Sequence, residues 1–303
     1  MTTVALGQIV VDTLVQGAVI APLTMGMTLV YGVSRFANVV QVEFATLSAY
    51  GTLVVGSVVG GGLLLDSLIS VALTGVIAVG LYYLVFLRLL RRSAMMALIG
   101  SLALSIVIRA FIQTVAGPDP RQFDLPLERG TELLGGNITP SVLHMSLISL
   151  GSVLLVLALL RFTALGRRVR AVSTNPELAA AAGINGRRVS EATWLLAGIL
   201  GGIAGTALAV STEVTTGMGF AMIIPVFGAT LLGGIGSVGA TPIVAAYLLA
   251  AAQSVPLYVN IGAVFSSDLR VPLDYRPAVG FAVLLVALVV RPNGLFGSAV
   301  RRG

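Results

Sequence analysis

Gly166–Arg188 reads GRRVRAVSTNPELAAAAGINGRR, and long apolar runs flank it on both sides, Ser141–Leu160 and Ala192–Val210. That contrast decides the fold class. An apolar run of about 20 residues crosses a bilayer as a helix, because a helix satisfies its backbone polar groups within the segment. A polar island between two such runs belongs at the membrane surface. The island also spells a short helix with both ends. Asn175 suits the cap, Pro176 the first helical position, and Glu177 the positive end of the helix dipole. LAAAA follows, with high helix propensity and little side-chain bulk, and Gly183 suits the left-handed position past the end. Two readings stand at this point. The island is an ordinary surface loop, or its helix docks a partner: a small alanine face enters a groove closely while arginines pair with acidic groups at the rim.

Outward from the island, the same pattern repeats. Hydrophobic residues make up 57% of the 303, charged residues 10%, and the mean hydropathy is +1.02. Candidate spans are Val11–Val33, Val42–Val59, Leu63–Leu87, Ala94–Ala116, Ser141–Leu160, Ala192–Val210, Met222–Leu232, Thr241–Val259 and Ala278–Val290. The reading is an all-α, polytopic membrane helix bundle of about 8–10 segments, forming a single transmembrane domain over residues 1–303. The run at Met222 is short and glycine-rich, and the one at Val42 starts beside polar residues, so either is a candidate for a broken or re-entrant segment. The first run lacks a preceding basic region and cleavage pattern and reads as a retained span. With no cysteine, disulfides and thiolate metal sites are excluded.

The net charge of +6 comes from arginine alone, since the chain has no lysine. In a membrane protein such an excess reports topology and not nucleic-acid binding. Arg88, Arg91 and Arg92 follow the third run; Arg161, Arg167, Arg168, Arg170, Arg187 and Arg188 fill or border the island; Arg291, Arg301 and Arg302 follow the last run. By the positive-inside rule these regions, the C-terminus included, are expected in the cytoplasm. The segments Gly117–Pro140 and Asn260–Pro277 are near neutral or acidic and are expected outside. The N-terminus is outside if every run crosses and inside if one is re-entrant.

Among polar residues in the apolar runs, Asn38, Gln41 and Glu43 stand out. A carboxylate in hydrocarbon is unfavourable by several kcal/mol, depending on depth. Glu43 must therefore lie at an interface, face the bundle, pair with a cation or give up its charge. Arg109 lies about four turns into its run and is expected to snorkel outward. Glu213 is expected at the outer mouth, and Asp66 and His144 at the ends of spans. Gly198/Gly202 and Gly201/Gly205 have the spacing that lets helices approach closely. LLGGIGSVGA, Leu231–Ala240, lacks the Lys and Ser/Thr of a phosphate loop, and it serves helix packing or an unwound backbone. RPNGLFG after the last run reads as a turn, with Pro292 and Gly294 at its second and fourth positions. No metal-ligating, nucleophile-elbow or cysteine-nucleophile pattern is present.

RRVRAVSTNPELAAAAGIN resembles the cytoplasmic coupling segment of ABC-importer permeases of the branched-chain amino acid family. GMTLVYGVSRFANVVQVEFATLSAY (Gly26–Tyr50) is similar to the N-terminal signature of that family's LivH-like subunit. FGATLLGGIGSVGATPIVAAYLLAAAQS (Phe227–Ser254) and VRPNGLFG (Val290–Gly297) resemble its late glycine-rich segment and its C-terminal end. The family's Asn-Phe-Ala-His-Gly-Glu run reads Asn38-Val39-Val40-Gln41-Val42-Glu43 here, so the Asn and Glu match while the His and Gly do not.

The resemblance implies a coupling loop over residues 162–191, with Arg168, Arg170, Asn175, Pro176 and Glu177 facing an ATPase. It implies the same for Leu178, Ala181, Gly183, Ile184 and Asn185. It places Asn38, Gln41, Glu43, Gly233, Gly234 and Gly236 along the translocation path. No cofactor is expected on this chain; ATP and Mg belong to partner subunits. The implied partners are a second permease (LivM-like, or a second copy), two cytoplasmic ATPase subunits, an extracytoplasmic solute-binding protein and the lipid bilayer. The expected location is the bacterial cytoplasmic membrane. The expected cargo is a branched-chain or related amino acid, with urea or short amides as alternatives. An ion-coupled secondary transporter using Glu43 or Asp66 is the competing class.

Overall fold

The computed structural model describes residues 3–126, 128–234, 236, 239–258 and 276–290. It is a helix bundle built from α1 (Thr3–Ser34), α2 (Val40–Val59), α3 (Leu63–Leu81), α4 (Leu87–Leu90), α5 (Ala94–Ala116) and α6 (Pro140–Phe162). These are followed by α7 (Ala164–Thr174), α8 (Pro176–Ala181), α9 (Gly186–Ser211), α10 (Met218–Ala221), α11 (Ile223–Gly233), α12 (Thr241–Tyr258) and α13 (Arg276–Val290). A π-helical turn, Tyr82–Phe86, joins α3 to α4. A hairpin of β1 (Thr131–Leu133) and β2 (Gly136–Ile138) pairs Thr131 with Ile138. Its two turn residues, Leu134 and Gly135, have φ of 53° and 82°, the left-handed pair of a type I′ turn. Among the described residues, six helices are long and apolar enough to cross a membrane. The chain is a multi-pass membrane protein.

Contacts at the helix ends give each segment a direction. Near its start, Gly7 of α1 lies against Gly135 and Gly136 of the hairpin, and the backbone N–H of Asn137 donates to Gln8 Oε1 at 2.9 Å. At the other end of α1, Arg35 donates to the carbonyl of Ser173 in α7. The helix therefore runs from a hairpin end to an island end, and the N-terminus shares a side with the 117–139 segment. α9 returns from the island to the hairpin end, where Arg121 and Val214 exchange backbone bonds of 2.9 and 2.8 Å. The Met222–Leu232 run forms one short helix, α11, with the single turn of α10 just before it, and the chain beyond it brings Gly236 against Tyr31 and Gly32 of α1. α2 is continuous, but it begins below the surface: the N–H of Val39 donates to Ser101 Oγ, well inside α5, at 3.2 Å.

α9 is the axis of the bundle. Its span is 72% buried, against 28% for α5 and 22% for α6, so α5 and α6 present most of their surface outward. Glycines set its distance from its neighbours. A Cβ on Gly198 would lie 2.6 Å from Ala78 Cβ of α3, and one on Gly201 would lie 2.7 Å from Phe44 Cβ of α2. One on Gly205 would fall on the backbone of Ala45. Small-residue spacing here produces backbone-to-backbone contact, which dispersion rewards in a solvent as apolar as lipid.

Pro22 interrupts α1 without exposing its carbonyl ladder. Pro22 has no N–H for the carbonyl of Ala18. The hydroxyl of Ser149 on α6 donates to that carbonyl instead.

Candidate functional site

At the island end a further helix, α7, precedes the capped one. α7 buries Gly166, Val169 and Val172 and exposes Arg167, Arg168 and Arg170. Gly166 touches the backbone of Leu160, so no side chain fits there. Arg170 Nη1 donates to the Leu160 carbonyl at 2.7 Å, which satisfies one of the last carbonyls of α6. Asn175 Oδ1 then accepts from the N–H groups of Glu177 and Leu178, both at 3.0 Å, and opens α8 with Pro176 at its first position. The N–H of Gly183 donates to Ala180 at 2.9 Å and that of Ile184 to Ala179 at 3.0 Å. Gly183 has φ of 78°, the left-handed stop expected of it.

Of α8, Ala179 is buried, while Glu177, Leu178 and Ala181 are exposed, Leu178 at 68%. Asn185 caps the next helix, its Oδ1 accepting from Arg187 at 3.1 Å and Arg188 at 3.3 Å. Arg168, Gly183, Ile184, Asn185 and Arg188 share the wall of a cavity of about 320 Å³. Nearly all the residues singled out in this segment thus meet around one small exposed helix. Arg170 differs, because its guanidinium is engaged with α6. Replacing Asn175 with alanine is expected to remove about 1 kcal/mol of local stability. Amide exchange at Leu178 would then speed up about fivefold, and an unchanged rate would refute the cap's contribution.

α9 starts immediately after this helix and is tied to the π-helical turn. The hydroxyl of Tyr83 donates to Glu191, and Arg187 Nε lies 3.5 Å from the same carboxylate. The Arg187 guanidinium also sits 4.7 Å over the Tyr83 ring. One turn deeper, Trp194 is fully buried among Phe86, Tyr82 and Phe36, with ring centroids 4.6, 5.8 and 6.4 Å away. Phe36 belongs to the elbow between α1 and α2, whose Arg35 adopts φ of 58° and reaches α7. The surface helix, α9 and the elbow are therefore mechanically continuous.

The elbow leads to the polar residues of α2. Asn38 is fully buried, and neither side-chain atom has a hydrogen-bond partner. Gln41 Nε2 donates to the Ala197 carbonyl of α9 at 3.0 Å, while its Oε1 is unpartnered. Buried unsatisfied groups of this kind are unfavourable in hydrocarbon and rare.

Glu43 is fully buried and is not an interfacial residue. Ser105 Oγ donates to its Oε1 at 2.7 Å, Arg109 Nη2 to the same oxygen at 3.1 Å, and Thr46 Oγ1 to Oε2 at 3.3 Å. Ser105 is the middle residue of the 23-residue α5, so the carboxylate lies near mid-depth. The expected snorkelling of Arg109 does not occur. Its guanidinium turns inward because an unpaired buried carboxylate costs more than the lost solvation of the arginine. The guanidinium also lies 3.8 Å over the Phe220 ring of α10. Ser105, Thr46 and Phe220 were not singled out from the sequence. The signal was there: Ser101, Ser105 and Arg109 recur every four residues, one polar stripe on an apolar helix.

Gly233 and Gly234 are buried, and Gly233 is tight against Pro242. Gly234 and Gly236 have φ of 88° and 78°, so the glycine-rich run unwinds the chain between α11 and α12 at the island end. The three glycines neighbour α12 and the end of α1, and they do not join the Glu43 cluster. Asp66 is buried at the hairpin end, where its Oδ1 accepts from the N–H of Gly61 at 3.2 Å. Glu213 accepts from Gln122 at 3.2 Å at the same end. His144 is exposed in the first turn of α6. RPNGLFG and the segment 259–275, expected outside, lie outside the described residues.

A family model described as "Branched-chain amino acid transport system / permease component" matches residues 9–288. The chain belongs to this permease family. The permease is 26% identical over 299 residues to the high-affinity branched-chain amino acid transport system permease protein LivH of Salmonella typhimurium, covering 93% of this chain and 92% of that one. It is 25% identical over 285 residues to the probable LivH of Methanocaldococcus jannaschii, covering 91% and 87%. It is 24% identical over 307 residues to BraD of Pseudomonas aeruginosa, covering 96% and 95%. Among solved structures, a chain of PsaBC from Streptococcus pneumoniae in complex with Fab matches with a TM-score of 0.50 at 14% identity, over 95% of this chain and 94% of that one. That likeness concerns the fold alone. The relatives are transport components, so the permease is a transport subunit and not an enzyme.

Proposed function

We propose that this permease is a transmembrane subunit of an ATP-driven importer in the bacterial cytoplasmic membrane, and that α8 is where the energy enters. The observation that carries the proposal is the capped, exposed helix Pro176–Ala181, held at the arginine-rich end of a transport-family bundle. That end faces the cytoplasm by the positive-inside rule, and the unwound glycine run lies at the same end. Glu177, Leu178 and Ala181 form the face that enters an ATPase groove, with Arg168, Gly183, Ile184 and Asn185 around it. The ATPase pair holds ATP and Mg. A second permease, LivM-like or a second copy, completes the pathway. A solute-binding protein delivers branched-chain amino acids to the hairpin end, where Asp66, Gln122 and Asp124 share a cavity of about 490 Å³.

Closure of the ATPases on ATP moves α8. The motion passes to α9 through Asn185 and, by way of α7, to the elbow through Arg35, which donates to the Ser173 carbonyl. α9 is packed backbone to backbone on α2, so α2 moves with it. Asn38 and Gln41 carry buried, unpartnered polar atoms in this state, and they meet water and solute when the path opens. The coupling works to the extent that docking energy differs between the two states.

Two substitutions test the reading. Gly183→Pro cannot adopt φ of 78° and loses the N–H bonded to Ala180, so the helix loses its stop. Glu177→Arg places a cation at the positive end of α8 and reverses the charge of the docking face. Each is expected to cut leucine uptake by the assembled importer at least about tenfold, a loss of about 1.4 kcal/mol of coupling. ATP hydrolysis and membrane insertion are expected to persist. Normal uptake in both variants would refute the docking role. Uptake of urea or a short amide in place of leucine would reassign the cargo within the family.

A further inference from the structure

The ion pair of Glu43 and Arg109 has three features that a purely structural bridge does not need. It lies near mid-depth, where holding two charges is most unfavourable and hydrophobic replacements would serve at least as well. Its arginine is not sealed in: the side chain is 24% exposed on the surface where α5 meets α10, although the carboxylate is 0% exposed. Its hydrogen bonding is incomplete, since Arg109 Nε is buried without a partner. Phe220, 47% exposed, lies flat against the guanidinium on the same surface. A guanidinium edge and an aromatic ring open at mid-depth fit a face turned to a water-filled path or a neighbouring subunit, and not to lipid.

Resting on the family reading of amino-acid transport, we propose that Glu43, Arg109 and Phe220 form a transient binding site for an α-amino acid in its zwitterionic form. The complementarity is one group to one group. The planar guanidinium fork donates to the α-carboxylate. The Glu43 carboxylate, with Ser105 and Thr46 hydroxyls beside it, accepts the α-ammonium. The Phe220 ring, on α10 at the break before α11, covers the apolar side chain. In the resting state the two protein charges neutralise each other. On passage the zwitterion inserts between them and each protein charge exchanges one partner for another, so no charge is left bare in the low-dielectric interior. A solute with a single charge leaves one of the two residues uncompensated, and selection at mid-membrane follows from that.

The test uses the purified full chain in detergent, so its result does not depend on ATPase coupling. Thermal unfolding is followed with L-leucine, with isoamylamine (the ammonium alone) and with 4-methylpentanoate (the carboxylate alone), each near 10 mM. Leucine is expected to raise the Tm by about 3 °C, and the two single-charge analogues by less than about 1 °C. In the uncharged double variant Glu43→Gln/Arg109→Gln, the leucine effect is expected to vanish. Equal shifts with all three solutes, no shift with leucine, or an undiminished leucine shift in the double variant would each overturn the site. If the double variant does not fold, the comparison of the three solutes on the wild-type chain decides alone. In the assembled importer, the double variant is expected to lose at least about tenfold in leucine uptake. Uptake at the wild-type rate would mean that the pair only holds helices together. An importer that ignores ATP would count against the coupling reading and leave this site standing.

Discussion

Gly205→Leu is expected to abolish the folded bundle. A Cβ at this position would fall on the carbonyl oxygen, Cα and carbonyl carbon of Ala45, all backbone atoms that cannot rotate away. α9 and α2 would have to separate, and the contact spreads along both helices: Gly201 against Phe44, and the hydroxyls of Ser48 and Thr206 at 3.5 Å. In a bilayer the lipid tails are as apolar as leucine, so exposed side chains do not drive the helices back together. What is lost is close packing itself. Overpacking costs about 1–3 kcal/mol where side chains yield, and more where only backbone can move. The measurement is the yield of monodisperse permease after detergent extraction, with Gly151→Leu as the control. Gly151 is exposed on α6 with no heavy atom near its Cβ position, and its variant is expected to behave as wild type. Equal yields from both variants would refute the account of α9 as the packed axis.

Trp194→Ala is the second large effect. The indole is fully buried between the elbow and the π-helical turn, with Phe86, Tyr82 and Phe36 around it. Its removal leaves a cavity where the surface helix is linked to the membrane segment. Truncations of this kind cost about 3–5 kcal/mol, which corresponds to a fall in Tm of about 5–8 °C. Trp194→Phe separates packing from polarity. The indole N–H has no hydrogen-bond partner, so a phenyl ring gives up only part of the contact area. Its expected cost is under about 1.5 kcal/mol. A phenylalanine variant as unstable as the alanine variant would contradict this division.

The parts of the fold that were legible in the sequence share a cause: their determinants are local. Ala94–Ala116 is bounded as a helix at the residues its pattern suggested, with Ser93 accepting from Met96 at its start. Asn175, Pro176 and Gly183 spell the ends of α8 because capping involves neighbours within a few residues. The misreadings involve partners far apart in the chain. Arg109 looked like a snorkelling residue because its carboxylate lies on another helix, 66 positions away. α7 was missed because its buried residues are few and small, spaced among arginines that dominate the composition. The depth of Glu43 was hidden because α2 starts beside Ser101, and sequence gives a helix its length but not its height in the membrane.

In the proposed mechanism this chain moves amino acids in response to ATPase subunits bound at α8. Its most direct test is uptake of radiolabelled leucine into sealed vesicles containing the permease assembled with its ATPases and supplied with a solute-binding protein. Uptake is expected to require hydrolysable ATP, to survive collapse of the proton gradient, and to disappear in Gly183→Pro while ATP is still hydrolysed. Accumulation of leucine by the permease alone, driven by an imposed proton gradient with no ATPase present, would contradict the account.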